Sequence, residues 1–512
     1  MSGRKLRWIG FGLVATAGAG VIGLSATMNP ASAHADDIGV VIGGSADPIP
    51  GPGYVEAADG LYLNNPLTAL YPDLTFYQAT STNPFGNGLF TPEGAYPLFG
   101  QGVQQLYYNY PVDSDGLPSL STSVGQGASI LESTILANQS ALDGSTVLGY
   151  SQSSTLAGVT MQLLDPSGTP ETGPLDPQFL LLADPNNPNG GLFERFAGFE
   201  TMSGQTTVDN LNLASLGIGF DGSTPSDDYL TNIYSLEYDG FTDFPRYPIN
   251  LLSDLNAFLG IEDLHGTYLN GGVDGSGPTA EQIANAILLP GSMASGTTDS
   301  LTNYYMIDET APLVSLLPKS LQELLGPDLT YLINLGYGDG SLGYSVDADS
   351  PADVATPFGL FPDVSLSTVL STLATDTEQG ITALEQDPTA WTSLLEPTSS
   401  EQSLTELLST LGTVAANPAA TLTDLVNAIS SAASTAYSTL LPLADIGNAL
   451  LTSLPAYDLS LFTDNLSNGD LLDALGLPIA ADTGMGTLFA GFAVAVIDNA
   501  ATQISADFSG LF

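Results

Sequence analysis

With 512 residues, 55 acidic side chains against six basic ones and a net charge of −49, the chain can bury a large core but lacks the clustered Lys and Arg that a nucleic acid or an anionic membrane surface demands. Nucleic-acid partners are excluded on that ground, whereas neutral or weakly polar substrates suit such a surface. Cysteine is absent, which rules out disulfides and thiol catalysis, and with only two histidines a structural zinc site is not expected.

Arg4, Lys5 and Arg7 precede an apolar, Gly/Ala-rich run from Trp8 to Ala26, and the segment closes on Ala31-Ser32-Ala33-His34-Ala35. This is the pattern of a secretory signal over residues 1–35 with an A-x-A cleavage site, an uncleaved membrane anchor being the alternative. A secreted or cell-envelope location is therefore expected. Cleavage would remove three of the six basic residues and no acidic one.

Asp37-Ile38-Gly39-Val40-Val41-Ile42 reads as a buried strand delivering the small-residue loop Gly43-Gly44-Ser45, and Ala46 to Gly53, with three prolines, reads as loop. Leu106 to Tyr110 is a candidate second strand. From about Ser121 the spacing of Val124, Ala128, Ile130, Leu131, Ile135 and Leu136 predicts a helix. Thr146-Val147-Leu148 then enters Gly149-Tyr150-Ser151-Gln152-Ser153, and Thr155 to Leu164 leaves it with helical periodicity. A strand, a Gly-x-Ser-x-Ser turn and a helix make a nucleophile elbow with Ser151 at its tip, where the residues two before and two after must be small.

Further strands are predicted at Phe179–Ala183 and Asn232–Tyr238, and a short helix at Leu251–Leu259. Strands alternating with helices predict an α/β fold built on a parallel sheet, with chemistry in the loops at strand ends. From about residue 347 the composition turns to Ser, Thr, Ala and Leu with helical spacing. Capping-box patterns at Ser403–Glu406 and Thr421–Asp424 open two helices, and Leu488–Ile497 reads as a buried core helix or strand. The expected division is a signal over 1–35, a catalytic domain over 36–346 and a largely helical region over 347–512.

A serine nucleophile needs a base, usually an imidazole. His34 lies in the cleavage region, so His265 is the candidate. It follows Ser151 and the acid candidates in the Ser, Asp, His order of α/β-hydrolases. Three aspartates stand at strand ends: Asp184, Asp239 and Asp243. Gly240-Phe241-Thr242-Asp243 resembles the Gly-x-x-Asp turn with which many α/β-hydrolases present the acid, so Asp243 is placed first and Asp239 second. Oxyanion donors are expected from the N–H of Gln152 and from the Gly43-Gly44-Ser45 loop, with Ser45 as its member. That loop lacks the spacing and the lysine of a phosphate cradle, and no acidic group has calcium-loop spacing; no cofactor or metal is expected.

Taken together, Val41-Ile42-Gly43-Gly44, Gly149-Tyr150-Ser151-Gln152-Ser153, Asp184-Pro185, Pro188-Asn189-Gly190-Gly191, Tyr238 to Pro245, His265-Gly266-Thr267-Tyr268, Tyr304-Tyr305-Met306-Ile307, Pro327-Asp328-Leu329 and Leu335 to Asp339 resemble the mycobacterial PE-PPE domain family of secreted serine hydrolases. The elbow itself resembles that of cutinases. The resemblance implies a cutinase-like α/β-hydrolase fold, a mostly parallel sheet flanked by helices. It also implies esterase, lipase or acyltransferase activity on acyl esters of the cell envelope. The acceptor would be water or a trehalose-type glycolipid, and a non-catalytic envelope protein on the same scaffold is the third expectation. The helical PE or PPE module that often precedes this domain is not matched, and the region after about 350 matches no known pattern.

Overall fold

The β-branched run after Asp37 forms β1 (Ile38–Ile42) of a largely parallel sheet. The computed structural model describes residues 38–65, 67–68, 75–76, 88–95, 120–137, 145–172, 176–196, 218–219, 222–296, 298–347, 349–386, 431 and 440–509. The expected signal segment, the strand expected at Leu106–Tyr110 and the helices expected to open at Ser403 and Thr421 lie outside the described residues. The other strands are β2 (Thr75–Phe76), β3 (Gly88–Leu89), β4 (Thr146–Tyr150), β5 (Gln178–Leu182), β6 (Thr231–Leu236), β7 (Ile287–Leu288) and β8 (Thr302–Ile307). Across the sheet they run β2, β1, β4, β5, β6, β8, β7, and β3 joins β1 on the edge that also takes β2. Every pairing is parallel except that of β7 with β8.

The helices, in chain order, are α1 (Pro52–Ala58), α2 (Leu120–Ala137), α3 (Gln152–Leu164), α4 (Leu251–Asp263), α5 (Ala280–Ala284), α6 (Pro312–Ser315), α7 (Lys319–Asn334), α8 (Leu366–Gln386), α9 (Leu440–Leu451), α10 (Ser453–Asn468) and α11 (Leu471–Ser509). The expected loop before α1 ends early because Pro52 takes the first helical position, where its missing N–H would have had no partner.

Strand side chains alternate between faces, so a parallel sheet covered on both sides reads as an unbroken apolar run. Val40, Ile42, Val147, Phe179, Leu181 and Ile233 pack under α2 and α3, with Val124, Ala128, Leu131 and Leu156 as the opposing surface. Val41, Leu148, Tyr150, Leu180, Leu182 and Tyr234 form the other face, against Tyr54, Ala58 and Tyr62. Together these two layers bear out the α/β architecture.

Among the described residues, the helices after residue 347 pack into a core shared with the sheet-end loops. Ile446, Tyr457, Met485, Leu488, Phe489 and Phe492 join one apolar cluster with Leu192, Phe193, Phe196 and Phe244 of the loops beyond β5 and β6 and with Phe358 of the connection between α7 and α8. Helix α11 rests on α4, where Thr487 Oγ1 donates to Asp254 Oδ2 at 3.2 Å and a Cβ on Gly491 would stand 3.3 Å from the Phe258 ring. The Leu471–Ile497 part of α11 is long and apolar enough to cross a membrane, and half of its apolar window is buried against the protein.

Candidate active site

The turn after β4 is built by close approach. A Cβ on Gly149 would lie 2.6 Å from the Ser153 carbonyl oxygen, so only glycine fits two residues before Ser151. The Ser153 hydroxyl accepts from the Tyr150 N–H at 2.7 Å, which closes the turn from the other side. Ser151 sits between strand and helix at φ 58°, ψ −117°, outside the comfortable range of an L-residue. Its N–H donates to the Leu182 carbonyl at 2.9 Å, so the strained residue is tied to the end of the neighbouring strand.

Ser151 Oγ stands 2.7 Å from His265 Nε2. On the other side of the ring, Nδ1 lies 3.0 and 2.9 Å from the two carboxylate oxygens of Asp239. A carboxylate accepts only, so Nδ1 carries the proton toward Asp239 and Nε2 is left to accept from the serine hydroxyl. Asp239 also accepts from Tyr268 Oη at 2.8 Å and from the Phe241 N–H at 3.1 Å. Both Asp239 and His265 are buried. The Phe241 ring lies 4.6 Å, centroid to centroid, from the imidazole, and Tyr150 Oη donates to the His265 carbonyl. The histidine is thereby held through its ring, its Nδ1 and its backbone.

The acid next to the histidine is therefore Asp239, and the placement of Asp243 there is corrected. Tyr238 adopts φ +68° two residues past the end of β6, which turns the chain so that Asp239 faces His265. Asp243 closes the turn from inside: its Oδ2 accepts from the Tyr238 N–H at 2.9 Å, and its own N–H donates to the Asp239 carbonyl at 2.7 Å. Burial holds the Asp243 carboxyl well above the usual carboxylate range. Asp184 stands apart from the histidine. It accepts from the Asn186 N–H at 3.0 Å and from Thr224 Oγ1 at 2.7 Å, and burial raises its pKa to about 6.

Two glycines set the spacing between the acid and the base. A Cβ on Gly240 would lie 2.4 Å from the Ala257 carbonyl oxygen, and one on Gly260 would lie 1.8 Å from that of Tyr238. The Asp239 turn can thus press against α4, and His265 follows that helix directly, its N–H donating to the Gly260 carbonyl at 3.1 Å.

The loop after β1 reaches the elbow. A Cβ on Gly44 would stand 3.3 Å from the Tyr150 carbonyl oxygen and 3.7 Å from Ser151 Cβ. Ser45 Oγ donates to Gln152 Oε1 at 2.7 Å, and Gln152 Nε2 donates to the Gly94 carbonyl at 3.1 Å and to Ser123 Oγ at 2.9 Å. Gln152 is the first residue of α3, where a backbone N–H has no acceptor within the helix and the dipole favours negative charge. Beneath the loop, burial raises the pKa of Glu93 to about 8 and that of Asp47 to about 6. Glu93 accepts from Thr91, and its carbonyl takes the Ala46 N–H at 2.8 Å.

Ser45, Ser151 and Gln152 open onto one cavity, whose walls are mostly apolar and include Leu120, Val124, Phe193, Phe241 and Phe492. Tyr268, Phe241, Ser123 and Phe492 are contributors that sequence reasoning did not assign. Of these, Tyr268, three residues after His265, and Phe241, inside the acid turn, had a local signal. No grouping of His, Asp and Glu suited to a metal occurs among the described residues.

Residues 86–338 match the PE-PPE domain. The chain is 35% identical over 504 residues to an uncharacterized PPE family protein, PPE28, of Mycobacterium tuberculosis (strain ATCC 25618 / H37Rv), an alignment covering 94% of this chain and 68% of that protein. It is 40% identical over 256 residues to Esterase PE16 of the same strain, covering 48% of this chain and 42% of the esterase. With PE family protein PE3, also of that strain, identity is 37% over 273 residues and half of each chain is covered, 51% in both cases.

Proposed function

Since the chain belongs to the PE-PPE domain family of mycobacterial PE and PPE proteins, and Ser151, His265 and Asp239 stand in line, we propose that it is a serine carboxylester hydrolase acting on acyl esters. The family and the esterase-named relative support an esterase-like activity in general. The single observation that carries the serine mechanism is the continuous path from Ser151 Oγ through the imidazole to Asp239, with contacts of 2.7 and 2.9 Å.

In this reading Ser151 Oγ attacks the ester carbonyl while its proton passes to His265 Nε2. Asp239 orients the ring and stabilises the imidazolium. The charge developing on the carbonyl oxygen is met by the Gln152 N–H and the Gly44-Ser45 loop. The intermediate collapses as His265 returns the proton to the departing alkoxide, leaving an acyl group on Ser151. Water, deprotonated by His265, then releases the free acid and restores the serine. The acyl chain lies in the apolar cavity beside Phe241 and Leu120. The basic and apolar pattern of residues 1–35 supports a site of action at or beyond the cell envelope.

Incubation of the protein with p-nitrophenyl acyl esters, with and without a trehalose glycolipid, tests this directly. Free acid and p-nitrophenol are expected in both cases, and Ser151→Ala and His265→Ala are each expected to lower kcat by at least about 10³-fold. Acylated glycolipid as the main product would make the enzyme an acyltransferase. No turnover in either mixture would favour the non-catalytic alternative.

A further inference from the structure

The cavity beside Ser151 is lined by residues of the sheet-end loops and of α2 and α3, and also by Phe492 of α11, more than two hundred residues beyond His265 in sequence. Helix α11 is fixed there by more than proximity. Thr487 bonds Asp254 at 3.2 Å and a Cβ on Gly491 would stand 3.3 Å from the Phe258 ring, and both partners belong to α4, the helix that ends at Asp263, two residues before His265. Phe492 is buried in the apolar cluster that contains Phe193, and Phe241, whose ring covers the imidazole at 4.6 Å, packs against that cluster. The helical region thus completes a wall of the site.

We propose that α11 sets the acyl-chain length accepted by the pocket, with Phe492 as the specificity-determining residue. This rests on the ester-hydrolase reading above. A rigid aromatic ring at the wall limits the space available to the chain. Truncating it lengthens the usable cavity, and enlarging it shortens the cavity. Each methylene admitted to or refused by an apolar pocket changes kcat/KM by about 10-fold or more.

The test is the ratio of kcat/KM for p-nitrophenyl dodecanoate to that for p-nitrophenyl butanoate, in the full chain. Phe492→Ala is expected to raise this ratio roughly 10-fold and Phe492→Trp to lower it by a similar factor. A loss of stability alone would scale both esters equally and leave the ratio unmoved. Phe492→Leu, which preserves most of the apolar volume, supplies the smaller-residue arm if Phe492→Ala does not fold, with a rise of the same sign expected. An unchanged ratio in folded variants of both sizes overturns the inference while leaving the hydrolase reading intact. If the wild type hydrolyses neither ester, the hydrolase reading fails. The pocket is then judged from the affinity of dodecanoate relative to butanoate in Ser151→Ala and Ser151→Ala/Phe492→Ala: a higher ratio in the second protein upholds the chain-length role and an equal one overturns it.

Discussion

Tyr238, at φ +68°, makes the backbone turn that separates two neighbouring aspartates into different roles. Asp239 meets the imidazole at 2.9 Å, whereas Asp243 satisfies the Tyr238 N–H from behind at 2.9 Å. Asp239→Asn is therefore expected to lower kcat by up to about 10⁴-fold with little change in Tm, because an amide can hold His265 in the wrong tautomer. Asp243→Ala leaves a buried N–H unpaired, at about 1–3 kcal/mol, so its Tm falls while kcat drops far less. Ester hydrolysis and thermal unfolding on the two variants separate these effects, and a larger kcat loss in Asp243→Ala would reverse the assignment. Ser151 and His265 were legible in the sequence because one residue occupied a telling turn and the other is one of only two histidines and follows the serine in chain order. The acid was not, since the Gly240-Phe241-Thr242-Asp243 pattern says nothing of a positive φ at Tyr238.

At the scale of elements, the elbow depends on the fit of β4 against the start of α3. Gly149→Ala would bring a methyl group to 2.6 Å from the Ser153 carbonyl oxygen, and the backbone must shift to relieve it. A loss of about 1–3 kcal/mol in stability is expected, with Ser151 displaced and ester hydrolysis reduced. Denaturant unfolding measures the first effect, and wild-type stability in this variant would contradict the packing argument. Strands β1, β4, β5 and β6 were legible as apolar runs bounded by small or turn residues. Of helix α11, 39 residues long, the sequence shows only the short apolar run Leu488–Ile497. Its Pro478 and its glycines interrupt the apolar periodicity, yet Gly476 and Gly484 are where Leu360 and Phe358 press against the helix.

Over the whole molecule, burial raises the pKa of several carboxyls, to about 8 for Glu93 and Asp254, about 7 for Glu237 and about 6 for Asp184. Each binds its proton more tightly folded than unfolded. The stability they contribute is complete below about pH 4 and is lost as pH rises through the folded pKa values to about 8. A net charge of −49 adds self-repulsion over the same range. The Tm is therefore expected to be higher at pH 5 than at pH 8.5, and Asp254→Asn, which keeps a partner for Thr487 without titrating, should flatten that slope. A Tm that climbs steadily with pH would contradict this account. The continuity of the cluster joining Phe193 to Phe492 was illegible in sequence, because it depends on how a distant helix folds back over α4.

The measurement that tests the central claim most directly is covalent labelling of the folded protein with a fluorophosphonate, followed by mass spectrometry of the labelled peptide. The phosphonyl group should be found on Ser151, with labelling abolished in Ser151→Ala and strongly slowed in His265→Ala and Asp239→Asn. A folded wild-type protein that takes up no label, or takes it up at another serine, would contradict it.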